Sequence, residues 1–432
     1  MKIKVRDKAY EEVLALPVSR HLRPRRPSRF FRWLVKTASA SELKKTNFHC
    51  EKIGMERLGK DEPALFLMNH SSFIDLKIAF TVLYPRSFNT VCTSDGFVGK
   101  KWLMRHLGCI PTNKFMTDIV LVRDMLHATR KLKSSVLMYP EASYSFDGTA
   151  TPLPDSLGQC LKLLDVPVVM IRTYGAFAHD PLYNGLKLRE VDVSAEMRYL
   201  LSREEIKQKS VEELNAILNE QFTFDNFHWQ QENRVCVDEP FRADGLNRVL
   251  YKCPQCLTEG SMEGKGTELC CRACGKRWEL DEYGALTCAA GEPIFTHVPD
   301  WYAWERSCVR EELEAGSYRL DVPVDILMMK DMDCVWHVGE GTLHHGSDGF
   351  LLEGCEGKLR VSVPPAASYS LYADYYWYEI GDMICIGDRT ALYYCFPKSG
   401  GDIVAKTRLA TEELYKMTRP QRSRTGSAKG EK

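Results

Sequence analysis

Short apolar runs recur through the first half of the chain, and each is followed by a segment with helical periodicity. Ala64-Leu65-Phe66-Leu67-Met68, Val136-Leu137-Met138-Tyr139 and Val166-Pro167-Val168-Val169-Met170-Ile171 have no polar interruption. Runs of this kind predict strands covered on both faces. Phe73 to Leu83 and Thr117 to Leu132 predict helices, so the segment reads as an α/β layered domain. Ser202-Arg-Glu-Glu205 and Ser210-Val-Glu-Glu213 are capping-box patterns, each opening a further helix. Pro240 to Asn247 reads as a linker. After Pro299 the pattern changes. Leu359, Val361 and Val363 alternate with Lys358, Arg360 and Ser362, as in a half-buried strand, and Gly341, Gly349, Gly357, Gly381 and Gly387 punctuate several such segments. Ile403 to Met417 predicts a closing helix. Several strands followed by one helix suit a small barrel capped by that helix.

The expected organisation is therefore a basic helical region at 1–45, the α/β domain at 46–245, a cysteine module at 246–290, a β-rich domain at 291–418 and a disordered tail at 419–432. A chain of 432 residues is long enough for such a division. No run approaches the roughly 18 to 20 apolar residues of a membrane span. Met1 to Ala15 carries mixed charges and no apolar core of a secretory signal. The expected location is cytoplasmic.

Charge alters the picture only locally, because 58 basic residues balance 58 acidic ones. Between Arg20 and Lys36 stand six arginines and one lysine, interleaved with Phe30, Phe31, Trp33 and Leu34; no acid occurs between Val13 and Ser41. Such an arm suits an anionic membrane surface, placing the protein peripherally on the inner face of the cell membrane. It would also suit nucleic acid, or pack its aromatics on the neighbouring domain.

Five of the sixteen cysteines fall between Cys253 and Cys274. Cys253-Pro-Gln-Cys256 and Cys271-Arg-Ala-Cys274 are two Cys-x2-Cys knuckles with zinc-ribbon spacing, and four thiolates predict a closed, structural Zn2+ site. Cys270 competes with Cys271 as ligand, and the symmetric spacing favours Cys271. Glu259, Glu263, Glu268, Glu279, Asp281 and Glu282 surround the knuckles and argue against a nucleic-acid face.

Asn69-His70-Ser71-Ser72-Phe73-Ile74-Asp75 links the first apolar run to its helix. That turn can set the Asp75 carboxylate against one imidazole nitrogen of His70, leaving the other as a general base. Amides at the helix start could hold a developing oxyanion, and Ser71 and Ser72 are expected to cap the helix. Tyr139-Pro140-Glu141-Ala142-Ser143 ends the second apolar run at a corresponding place.

These motifs together resemble the glycerolipid acyltransferase family, whose best-known members acylate 1-acylglycerol-3-phosphate. The resemblance spans about residues 30–235 and implies a glycerol-3-phosphate acyltransferase-like layered fold at 46–245. It implies His70 as base, Asp75 as its partner, and acyl-CoA or acyl carrier protein as donor to a lysophospholipid-like acceptor. The family's Pro-Glu-Gly-Thr-Arg motif matches Pro140-Glu141-Ala142-Ser143-Tyr144, and its Gly-x-x-Phe-x-x-Arg motif aligns with Gly108 through Lys114. Glu141, Ser143, Tyr144, Gly108 and Lys114 thereby become candidate substrate contacts. Tyr144 and Lys114 replace two arginines, which weakens a phosphate clamp, so the expected acceptor is not ordinary lysophosphatidic acid unless Lys100, Lys101 or Arg172 compensates. The alternative is a non-catalytic lipid- or acyl-carrier-binding protein with the same fold.

Overall fold

The computed structural model describes residues 3–17, 21–116, 118–289, 291–398 and 402–418. The tail at 419–432 lies outside these residues, as do Arg20 and Thr117.

The chain opens with β1 (Val5–Asp7), α1 (Tyr10–Leu14) and α2 (Arg29–Lys45). The α/β region follows: β2 (His49–Ile53), β3 (Leu65–Met68), α3 (Ile74–Val82), β4 (Phe88–Thr93), α4 (Lys101–Leu107), β5 (Ile110–Thr112), α5 (Ile119–Leu126) and β6 (Ser135–Met138). It continues through α6 (Leu157–Leu164), β7 (Val168–Tyr174), α7 (Ala176–His179), β8 (Ser194–Leu201), α8 (Arg203–Gln208), α9 (Val211–Phe222) and α10 (Asn226–Glu232). Its seven strands run in the order β2-β8-β7-β3-β6-β4-β5, parallel except where β8 meets β7.

Alternate residues of the central strands enter two different cores. Phe66 and Met68 of β3 face one core with Val169 and Ile171 of β7. Leu65 and Leu67 face the other with Val168 and Met170. Covering both faces is what removes polar residues from these strands. Both capping boxes are present, with Ser202 accepting from the Glu205 amide and Ser210 from the Glu213 amide.

Four short strands build the cysteine module in the order β12-β11-β10-β9: β9 (Met262–Lys265), β10 (Glu268–Cys271), β11 (Arg277–Leu280) and β12 (Leu286–Thr287). Helix α11 (Val298–Glu314) leads to a larger sheet of β13 (Leu320–Met329), β14 (Val335–Gly346), β15 (Gly349–Gly354), β16 (Leu359–Val363), β17 (Tyr372–Trp377), β18 (Gly381–Gly387) and β19 (Leu392–Pro397). Helix α12 (Ile403–Thr418) closes it. The order is β16-β15-β14-β13-β19-β18-β17, antiparallel throughout. Strand β16 comes close to β18, so the sheet curls, yet no described ladder joins the β16 and β17 edges. The strands and final helix match expectation, whereas the described residues do not close into a hydrogen-bonded barrel.

Three further differences concern the joints between regions. The N-terminal segment is not wholly helical: β1 pairs in parallel with β14, Val5 opposite Val335. Pro240 to Asn247 is packed rather than a free linker, because Ala243 and Leu246 are fully buried and Asn184 donates to the carbonyls of Phe241 and Asp244. One continuous core then joins Phe146 and Phe177 of the α/β region to Trp278 of the cysteine module, Trp301 of α11 and Tyr375 of β17.

Candidate active site

Strands β3 and β6 are parallel neighbours, with Leu67 opposite Met138. The turn after each therefore emerges at the same sheet edge, where parallel α/β sheets place their ligands. His70 follows β3 and Glu141 follows β6, while Thr173 comes from β7 on the other side of β3. Three adjacent strand ends thus supply the site.

Asp75 is completely buried. Its Oδ2 lies 3.3 Å from His70 Nδ1 and accepts the amides of Ser71 at 2.7 Å and Ser72 at 3.0 Å. Its Oδ1 lies 3.3 Å from Thr173 Oγ1. Asn69 accepts from the Thr173 amide at 2.9 Å and donates to Ser71 Oγ at 3.0 Å, locking the turn to β7. With Nδ1 against the carboxylate, the neutral imidazole presents Nε2 as its acceptor. Nε2 has no partner among the described residues, and the side chain remains 18% exposed. Burial lowers the His70 pKa; the Asp75 hydrogen bond and charge oppose that shift, and Lys114 adds to it.

The Ser71 and Ser72 amides are spent on Asp75. The geometry corrects one expectation. Neither serine side chain caps α3, whose N-cap position is Phe73 without a side-chain hydrogen bond.

Glu141, only 3% exposed, acts on the backbone of the site. Its Oε2 accepts the His70 amide and its Oε1 the Thr151 amide, each at 2.8 Å. Burial raises its pKa to about 7 despite these hydrogen bonds. Both oxygens are engaged, so the side chain fixes the main chain beneath the imidazole. Ser143 is likewise buried, its Oγ donating to the Tyr144 carbonyl at 3.3 Å.

Two tyrosines flank His70. The Tyr139 ring stacks at 4.3 Å between centroids and the Tyr144 ring lies at 4.0 Å, itself stacked on Phe73 at 5.0 Å. Tyr144 thus covers an imidazole. Lys114 is also turned inward, its Nζ 4.1 Å from the Tyr372 ring centroid. Burial lowers its pKa while Asp374 and Asp95 raise it. The possible substitutes for the lost arginine are committed elsewhere: Lys101 pairs with Asp333 at 2.7 Å, Lys100 lies over Tyr378, and Arg172 donates to the Gln221 carbonyl. Gly108 ends α4 at φ +80°, and a Cβ there would meet Pro27 at 2.4 Å. That position requires glycine for chain geometry and packing.

Residues from α12 and the curled sheet complete the surroundings. Arg408 donates to the Tyr144 carbonyl at 3.4 Å, and Tyr372 donates to Asp95 at 2.5 Å. Sequence spacing carries no signal for these contacts, which join positions more than 260 residues apart.

The four cysteines of the knuckles form a second site. Cys253 Sγ lies 3.8 Å from Cys274 Sγ, Cys256 Sγ lies 3.7 Å from Cys271 Sγ, and all four sulfurs fall within 4.8 Å of one another. A tetrahedron of thiolates about 2.3 Å from a metal has edges of about 3.8 Å, so the cluster fits one ion. Cys270 is not part of it.

A basic and aromatic surface lies on α2, the segment just before it, and α4. Arg25, Arg26 and Arg29 are exposed, as are Phe30, Trp33, Leu34 and Trp102. Phe31 joins the helices by an edge contact with Trp102 at 5.4 Å. Arg32, in contrast, is buried and donates to the carbonyls of Pro85 and Arg86. Among the described residues, no helix is long and apolar enough to cross a membrane.

Residues 49–173 match the family model described as Acyltransferase. Among solved structures, the chain is similar to the 1-acyl-sn-glycerophosphate (LPA) acyltransferase PlsC from Thermotoga maritima. The identity is 14%, the match covers 44% of this chain and 78% of that one, and the TM-score is 0.34. No curated protein matches the chain.

Proposed function

We propose that this chain, whose residues 49–173 are an acyltransferase-family domain, moves a fatty acyl group from acyl-CoA or acyl carrier protein to a hydroxyl of a lysophospholipid-like acceptor. The observation that carries the reading is the His70–Asp75 pair, with Nδ1 held by a buried carboxylate and Nε2 without a partner among the described residues. In this reading Nε2 takes the proton of the acceptor hydroxyl while Asp75 stabilises the imidazolium. The acceptor oxygen bonds to the thioester carbonyl carbon, the carbon–sulfur bond breaks, and the thiolate leaves with the proton returned by His70. Glu141 and Thr173 are positioning residues.

The acceptor we infer does not rely on an arginine–phosphate grip. Tyr144 lies tilted against His70, and Lys114 is held among Tyr372, Asp374 and Asp95. The exposed arginines and aromatics of α2 and α4 would seat the protein peripherally on an anionic membrane, where such an acceptor resides. The four-cysteine cluster would hold a structural Zn2+, tying the module to α11. Purified protein incubated with labelled acyl-CoA or acyl carrier protein and a panel of lysolipids tests the reading. Acylation of an acceptor with a masked phosphate or none is expected. Fast and selective acylation of lysophosphatidic acid would refute the acceptor assignment.

The covering of His70 by Tyr144 favours one second reading, a lipid-binding protein without turnover; in that case no acceptor is acylated although lipid is bound.

A further inference from the structure

The curled C-terminal sheet is left open along the β16 and β17 edges, and the gap contains a cavity. Its walls include Phe350 of β15, Val363 of β16, Tyr372 of β17, Ile386 of β18 and Leu414 of α12. Its enclosed part is narrow, about 70 Å³, and it opens to solvent at its mouth. A slim chain fits such a space better than a bulky head group.

The walls carry almost no charge. His345 at the cavity stacks on Phe350 at 3.8 Å and 8°, its Nδ1 is 2.9 Å from the Tyr318 hydroxyl, and burial lowers its pKa to about 3. Burial likewise keeps the Cys385 thiol protonated. Lys114 is the one lysine or arginine among the lining residues. It belongs to the α/β region, beside the candidate active site.

Several contacts link the cavity to His70. Leu414 and Thr411 line it from the same helix that sends Arg408 to the Tyr144 carbonyl, and Tyr144 lies against the imidazole. Ser368, another lining residue, donates to the Phe115 carbonyl next to Lys114 at 3.3 Å.

We propose that this cavity binds part of a fatty acyl chain, inserted between β16 and β17 with its polar end at Lys114. The C-terminal sheet would then set chain-length preference for the reaction in the α/β region. This rests on the acyl-transfer reading for its purpose, though not for its test, which measures binding alone.

The test uses the full chain carrying His70→Ala, so that no turnover is possible. Binding of saturated fatty acids of about 8 to 18 carbons should tighten about fourfold per methylene until the cavity is full, then level off. Val363→Phe and Ile386→Phe should each move the levelling point to shorter chains, and Lys114→Met should weaken binding at every length without moving it. A diazirine-bearing palmitate should label peptides covering 363–371, 385–392 and 411–414. Protection of that label by palmitoyl-CoA would assign the cavity to the donor chain, and protection by lysophosphatidylcholine to the acceptor chain. Label confined to other peptides, protection by neither lipid, or an unchanged levelling point in two folded filling variants would overturn the proposal. The acyl-transfer reading would survive that result, because it is decided by the turnover of the unmodified protein.

Discussion

Replacing Glu141 by glutamine tests whether this residue acts on the backbone beneath His70. Its two oxygens accept two buried amides, those of His70 and Thr151. Glutamine keeps one acceptor oxygen and sets an NH2 group against the other amide. One buried N–H facing a donor costs about 1–3 kcal/mol. The pH dependence adds a signature. Burial raises the Glu141 pKa from 4.5 to about 7, so the folded state binds a proton more tightly than the unfolded one. The stability linked to that proton is present below the unfolded value and is lost as pH rises through about 7. Across the full interval the loss is up to about 3 kcal/mol. Urea unfolding of wild type and Glu141→Gln at several pH values between about 5 and 8 should show the wild-type advantage largest at the acid end and shrinking upward. Asp180 and Asp374, whose pKa values burial also raises to about 7, are common to both proteins and cancel in the difference. Parallel stability curves would refute the reasoning.

Three further outcomes follow from other contacts. Tyr144→Ala should uncover the imidazole and reduce its desolvation, raising the His70 pKa and moving the acid limb of kcat/KM to higher pH; an unmoved limb would contradict the covering of His70 by this ring. Thr173→Val removes a hydroxyl shared by Asp75 and Asn69 and should cost about 1–2 kcal/mol in chemical denaturation while lowering kcat more than it raises KM. Elemental analysis should find one metal ion per chain, lost in Cys271→Ser together with a fall in Tm on the order of several degrees; full stability without metal would contradict a structural site.

The parts of this fold that could be read from residues are those where local pattern and tertiary burial agree. Strands β3, β6 and β7 are buried on both faces, so their apolar runs stand out. His70 and Asp75 were legible because the turn between β3 and α3 confines five residues to one corner. Strand β2, His-Cys-Glu-Lys-Ile, is an edge strand whose side chains are all at least partly exposed, and nothing in its composition marks it. Strand β5 has three residues including a proline, too few for a period to register. The pairing of β1 with β14 joins residues some 330 positions apart and has no local signature. At the site, the motif located Glu141 but not its role, which depends on amides rather than on a substrate. Tyr144 read as a missing arginine, and only its tilted contact with His70 shows what the ring does. Several neighbours of Lys114, Tyr372 and Asp374 of β17 among them, lie some 260 residues away, so its inward orientation was invisible in sequence.

The most direct test of the central claim is the rate of labelled acyl transfer to a preferred lysolipid by wild type and by His70→Ala, compared at equal folded concentration. A general base oriented by Asp75 predicts a fall in kcat of about 10²–10⁴-fold, with donor binding preserved. Equal turnover by the two proteins would contradict it.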